Sequence, residues 1–292
     1  MRVAGAAAAG TRGTMVAGGM IALAATAAAL QAPAPGAAAA QGGVVHYGGA
    51  AGASSKGFAG GSISLLRSPD GSVSGRVGLG VSCARTFFPN NIVRVRGTTS
   101  GESFTASGSI RLTRRARLRV KLTGSFAGDH VTGTIRPRGK RIRCRTRARS
   151  FALRAETQPA GAPAIPAAGT LLLGLTSQTA GVLRLPVALR RRGDDRLFAL
   201  WQADMRCGPR ARLTAVNFTP ATSIRSDGTF SRTERYTIRY GGGLRERYRV
   251  YIRGQLLADG ARGTLRARMR MRQPGKRFYP CDSGVQSWTA AP

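Results

Sequence analysis

From Ser72 to Cys83 the chain alternates with a period of two. Val73, Val77, Leu79, Val81 and Cys83 hold odd positions, and Ser72, Ser74, Arg76 and Ser82 hold even ones. Successive side chains on a strand point to opposite faces, so this segment reads as a strand with one dry and one wet side. Asp70-Gly71 just before it is a hairpin-turn pair. The texture recurs. Phe104, Ala106, Ile110 and Leu112 share a parity, and Ala116, Leu118, Val120 and Leu122 alternate with Arg117, Arg119, Lys121 and Thr123. Ile142, Cys144, Thr146 and Ala148 alternate with Arg141, Arg143, Arg145, Arg147 and Arg149. Later, Leu183, Leu185, Val187 and Leu189 share a parity, as do Leu197, Ala199, Trp201, Ala203, Met205 and Cys207. Tyr248, Val250, Ile252 and Leu256 alternate with Arg247, Arg249, Tyr251 and Arg253, and Leu265, Ala267, Met269 and Met271 with Arg266, Arg268, Arg270 and Arg272. No helical period appears beyond the amino-terminal segment. The expected fold is all-β: two tandem antiparallel β-barrel or β-sandwich domains of one type, each with about seven or eight strands.

The tandem reading rests on an internal repeat. Cys83, Ser103-Phe104, Gly124, Gly133-Thr134-Ile135-Arg136, Gly139-Lys140-Arg141 and Cys144 are followed, in the same order, by Cys207, Thr229-Phe230, Gly254, Gly263-Thr264-Leu265-Arg266, Gly275-Lys276-Arg277 and Cys281. The step from Gly124 to Gly133 equals the step from Gly254 to Gly263. Self-similarity of this kind marks a duplicated unit. The expected organisation is a leader at 1–40, a flexible Gly/Ala/Ser lead-in at 41–60, a β domain at 61–156, a proline-stiffened linker at 157–168 and a second β domain at 169–292. The phenylalanines are expected in the cores, and the glycines at bulges or close strand approaches.

The first 55 residues carry only two charges, Arg2 and Arg12. An Ala-rich apolar run from Met15 to Leu30 and the small-residue stretch Ala37–Ala40 complete the pattern of a secretory signal peptide, with cleavage expected after Ala40 and Ala34 as the alternative. After its removal no integral membrane segment is expected. Four cysteines in an exported chain read as two disulfides. Three connectivities are possible, and the repeat selects Cys83–Cys144 and Cys207–Cys281, one inside each copy. Wide cysteine spacing, with only His46 and His130 as histidines, argues against zinc; no metal and no cofactor is expected.

Charge then narrows the picture. Basic residues number 46 against 12 acidic, a formal net charge of +34, and all but Lys56, Lys121, Lys140 and Lys276 of the basic residues are arginine. A GC-rich genome accounts for arginine over lysine but not for the shortage of carboxylates. Such a chain attracts polyanions. Two stripes stand out as candidate binding residues: Arg143, Arg145, Arg147 and Arg149, and Arg266, Arg268, Arg270 and Arg272. Guanidinium groups pair bidentately with phosphate and carboxylate. The two stripes fall on non-matching strands of the repeat. Few aromatics share their faces, Tyr251 being the main one, so sequence-specific nucleic-acid recognition is not expected. Catalytic signatures are also lacking. His130 sits at a turn, Asp194-Asp195 are adjacent residues that diverge, and Ser283 has no histidine in its copy.

The segment Cys281-Asp282-Ser283-Gly284 with Trp288-Thr289-Ala290, and Asp227-Gly228-Thr229-Phe230-Ser231 with the later Gly263-Thr264-Leu265-Arg266, resembles a pattern in secreted β-rich repeat proteins of high-GC Gram-positive bacteria. The first copy departs from it, with Arg145-Thr146-Arg147 after its second cysteine. The resemblance implies a β-rich exported module and no activity. The expected protein is therefore secreted or envelope-associated and non-catalytic. Its expected partner is an anionic cell-wall polymer or another polyanion, and its oligomeric state stays open. The alternatives are a structural or protein-interaction pair and, less favoured, an enzyme.

Overall fold

The computed structural model describes residues 43–292 except 55–56, 84–85, 209–210, 240–242 and 273–278. The expected leader at 1–40, Lys56 and the Gly275-Lys276-Arg277 repeat lie outside the described residues. Eighteen strands and no α-helix appear among the described residues. The first nine are β1 (Val45–Ser54), β2 (Gly57–Arg67), β3 (Ser72–Cys83), β4 (Thr86–Ser100), β5 (Ser103–Arg111), β6 (Arg117–Ala127), β7 (His130–Lys140), β8 (Cys144–Arg145) and β9 (Arg149–Ala155). The second nine are β10 (Leu171–Ala180), β11 (Leu183–Arg191), β12 (Arg196–Cys207), β13 (Ala211–Ser223), β14 (Thr229–Arg239), β15 (Arg245–Leu257), β16 (Gly260–Arg272), β17 (Tyr279–Asp282) and β18 (Gln286–Ala291).

Each set is an antiparallel meander closed on itself, a barrel rather than a sandwich. The order β2-β1-β9-β7-β6-β5-β4-β3 closes through the β2–β3 pairing into eight strands. The second set repeats the order as β11-β10-β18-β16-β15-β14 and β13-β12-β11. Its β13 and β14 meet only at an Ile224–Phe230 bridge, so its fully laddered ring is the six strands that close through β17, which pairs with both β12 and β16. β3 and β7 stand on opposite sides of the first ring, and in the second β17 alone spans from β16 to β12. The segment after β7 therefore crosses the barrel mouth, and the disulfide Cys83–Cys144 fastens it to β3. Cys207–Cys281 does the same in the second barrel.

The repeated glycines have a physical role. Gly124 faces Gly133 across β6–β7, and Gly254 faces Gly263 across β15–β16. Each pair is flanked by rings: Phe104 beside Gly124 and Phe151 beside Gly133, Phe230 beside Gly254 and Trp288 beside Gly263. A Cβ on Gly133 would sit 2.2 Å from the Thr123 carbonyl and 2.7 Å from the Phe151 ring. Glycine pairs make room for inward aromatics in cores that have few of them. Around these seats the dry parities close the cores, with Ile63, Val77, Leu118 and Leu153 in the first barrel and Trp201, Ile252 and Leu265 in the second.

Two sequence readings need correction. The stretch at 41–60 is not a loose lead-in, because β1 and the start of β2 lie there. Its small residues are a packing requirement: a Cβ on Gly48 would lie 2.2 Å from the Gly174 carbonyl of the second barrel, and one on Gly49 2.3 Å from the Ala152 carbonyl. Residues 141–149 are not one strand either. Only Cys144–Arg145 and, from Arg149, β9 are extended, because this segment must leave the ladder to cross the mouth; Arg141 turns with φ of 63°. Between the barrels, the backbone N–H groups of Ala160 and Gly161 donate to the Asp259 carboxylate at 3.0 and 2.9 Å, and Pro163 bridges to Leu257.

The barrels join through a small apolar cluster of Ala50, Leu173, Ala188, Leu200 and Val216. Polar contacts fix the joint. Arg76 Nη2 donates to Thr214 Oγ1 at 3.1 Å, Asn90 Oδ1 accepts from the Val216 N–H, Asn90 Nδ2 donates to the Tyr248 hydroxyl at 3.3 Å, and Arg184 pairs with Glu156. Burial pushes the Arg76 guanidinium below its ordinary pKa, with the nearby Asp204 charge opposing that shift.

Candidate anion-binding faces

The wet parities of β5, β6 and β7 lie side by side, so their charges form rows across strands. Lys121 faces Arg136, Arg119 faces Arg138, and Arg117 faces Lys140. All six are exposed. On the other side of β6, Arg117 also faces Arg111. Directly opposed side chains on neighbouring strands have Cβ atoms roughly 5 Å apart, and like charges there repel. None of the ion pairs formed among the described residues involves these six cations. An open groove of about 600 Å³ runs over this face, lined by Ser107, Ser109, Arg119, Lys121, Arg136 and Arg138 among others.

The second barrel carries the matching rows. Arg249 faces Arg268, Arg247 faces Arg270, and Arg245 faces Arg272, with Arg235 opposite Arg249 on β14. A larger groove of about 860 Å³ is lined by Arg235, Arg247, Arg249, Arg268 and Arg270 among others. Register makes the two faces equivalent. Counted from the paired glycines, Arg136, Arg138 and Lys140 on β7 match Arg266, Arg268 and Arg270 on β16, and Arg119 on β6 matches Arg249 on β15.

One carboxylate separates the faces. Asp282 on β17 accepts from Arg266 at 3.0 and 2.6 Å, from Arg268 at 3.0 Å and from the Gly284 N–H at 2.9 Å. Burial acts to raise the Asp282 pKa, but the hydrogen bonds from Arg266, the Gly284 N–H and Arg268, with the Arg266 charge, together outweigh it and hold the carboxyl below the ordinary range. The hydrogen bond to Asp282 raises Arg266. The first barrel has Arg145 at the position of Asp282, each being the residue after the second cysteine. The first face thus lacks the acidic brace of the second.

The sequence-predicted residues therefore divide. Arg266, Arg268, Arg270 and Arg272 share one face of β16, with Arg266 half-buried and the other three exposed. Arg143 and Arg147 are exposed in the irregular crossing, Arg145 lies on β8 and Arg149 opens β9, so they make no stripe. The matching stripe of the first barrel is Arg136, Arg138 and Lys140 with Arg117, Arg119 and Lys121. The repeat itself held the signal: Gly133 and Gly263 are each followed by cations at the third, fifth and seventh residues. Tyr251 is half-buried, and the Arg249 guanidinium lies 4.8 Å from its ring centre, so its face is already covered. His130 Nδ1 lies 2.6 Å from Asp129, and its Nε2 lies 3.2 Å from the Pro292 carbonyl, with no nucleophile among these contacts. No group of histidine, cysteine or carboxylate residues suited to a metal occurs among the described residues.

No family model matches the chain, and no curated protein matches it. Among solved structures, a "putative outer membrane protein" from Bacteroides fragilis aligns over 86% of this chain and 97% of its own, at 10% identity and a TM-score of 0.24. A score that low assigns neither fold nor function. The barrels themselves are packed with apolar side chains inside and carry arginine outside on β6, β7, β15 and β16, the reverse of a lipid-facing barrel wall. Both cysteine pairs are oxidised, and no free cysteine remains, which is the chemistry of a compartment outside the cytoplasm.

Proposed function

We propose that this is a non-catalytic exported protein that binds a linear acidic polymer of the cell envelope through the outer faces of β5–β7 and β14–β16. One observation carries the reading: both barrels set arginine and lysine directly opposite one another across paired strands, at matching positions. Facing like charges cost stability. An anionic chain laid over the rows relieves that repulsion, and guanidinium supplies bidentate contacts to its phosphates or carboxylates. Along each strand alternate side chains repeat at roughly 6.6–6.8 Å, so successive rows present charge at regular intervals to an extended chain. Base stacking has little support, since Tyr251 lies under Arg249 and the Tyr236 and Tyr248 rings of the second groove stack on each other. The first face, without a counterpart to Asp282, is the stronger of the two.

The test is binding of the mature chain to poly(glycerol phosphate), polyglutamate and neutral dextran at low and high salt. Capture by the two acidic polymers, loss of capture with salt and indifference to dextran is the expected pattern. Failure to bind either acidic polymer at low salt, or binding that salt leaves untouched, overturns the proposal.

A further inference from the structure

We infer that the protein bridges two separate chains of its acidic polymer rather than gripping one. This rests on the polymer-binding reading above and adds an arrangement to it. Within the first ring β6 lies four strands from β2 in either direction, and β2 packs at the joint. Within the second, six-strand ring β16 lies three strands from β11 in either direction, β15 pairs with β16 outside that ring, and β11 meets both β1 and β2. The basic rows are centred on β6 and β15. The outward side chains of each row are therefore on the far side of its barrel, while Tyr248 of β15, on the inward parity, is the residue that Asn90 reaches.

The joint does not let them swing round to one side. Gly48 is set against the Gly174 carbonyl and the Leu175 side chain, closer than any Cβ allows. Arg76 reaches Thr214, and Asn90 reaches both Val216 and Tyr248, so contacts on several strands hold one orientation. Back-to-back barrels with outward basic faces make a two-headed connector. A single chain could reach both faces only by wrapping around the molecule, whereas two chains each meet a flat face directly.

A sandwich measurement tests this. Poly(glycerol phosphate) is fixed to a surface, the protein is captured, and labelled poly(glycerol phosphate) is added after washing. The wild-type chain is expected to recruit the label, and a large excess of soluble polymer is expected to abolish recruitment, because each face then fills independently. Arg119→Gln/Arg136→Gln/Arg138→Gln neutralises one face, and Arg247→Gln/Arg249→Gln/Arg270→Gln the other. Each half-neutralised protein is expected to be captured still but to lose recruitment more than tenfold, while the combined variant is not captured. The same positions changed to Lys are expected to keep recruitment, which separates charge loss from misfolding. Capture of the wild type without recruitment, or undiminished recruitment by either half-neutralised protein, overturns the bridge and leaves the binding reading standing. No capture of the wild type overturns both.

Discussion

Salt dependence offers the sharpest test of the basic faces, because its size follows from a count of charges. The first face presents Arg117, Arg119, Lys121, Arg136, Arg138 and Lys140 to solvent in three facing pairs. Each phosphate contact to a single-stranded polyanion contributes about −0.7 to the slope of log K against log salt, so six contacts give a slope of about −4. Between about 50 and about 200 mM salt the affinity then falls about 300-fold. Arg119→Gln/Arg138→Gln removes one facing pair and is expected to bring the slope to about −3 and the fall to about 50-fold. The perturbation is best made in a chain whose second face already carries Arg247→Gln/Arg249→Gln/Arg270→Gln, so that one face is read at a time. Titration by fluorescence anisotropy of labelled poly(glycerol phosphate) at four salt concentrations measures it. An unchanged slope in the Arg119→Gln/Arg138→Gln protein, or a slope near zero in its parent, would refute the assignment of these side chains to the polymer.

Further expectations concern the scaffold. Cys83→Ser/Cys144→Ser opens a loop of 61 residues and is expected to cost about 4 kcal/mol on the chain-entropy account, read as a lower denaturant midpoint; an unchanged midpoint would show the mouth crossing to be dispensable. Gly133→Ala puts a methyl 2.2 Å from the Thr123 carbonyl and is expected to lose about 1–3 kcal/mol in the same assay, whereas Gly193→Ala, with nothing within 4 Å, stays within about 0.5 kcal/mol of wild type. Asp259 is held below the ordinary carboxylate pKa by hydrogen bonds from the Ala160 and Gly161 N–H groups. Its stabilisation is therefore complete above the unfolded-state value and is lost as pH falls through the lower folded-state value. Pepsin cleavage within 157–168 is expected to rise over that acid window in wild type and to be already high at the top of it in Asp259→Asn; identical profiles would refute the hold on the linker.

Much of the scaffold was legible in the residue pattern. Parity from Val73 to Cys83, at Leu118–Leu122 and at Leu265–Met271 predicted strands whose dry sides are now the barrel cores. The repeat predicted the cysteine pairing, and its glycines turned out to be paired seats for aromatic rings. β1 was not legible, because Gly48, Gly49, Ala50 and Ala51 look like a linker when nothing in the sequence reveals the second barrel pressed against them. The arginine run at 143–149 misled for the opposite reason: alternation is necessary for a half-buried strand, but a segment tied across a barrel mouth can alternate without pairing.

Local order along the chain was enough to determine most of the strands, the two oxidised pairs and the wet side of those strands, because side-chain parity and repeat spacing are properties of neighbours in sequence. Ring closure, the facing of Arg119 with Arg138 and of Arg249 with Arg268, and the turning of the two basic faces away from the joint were decided only in three dimensions. Those features depend on which distant strands lie side by side, and that is set by packing among residues far apart in the chain.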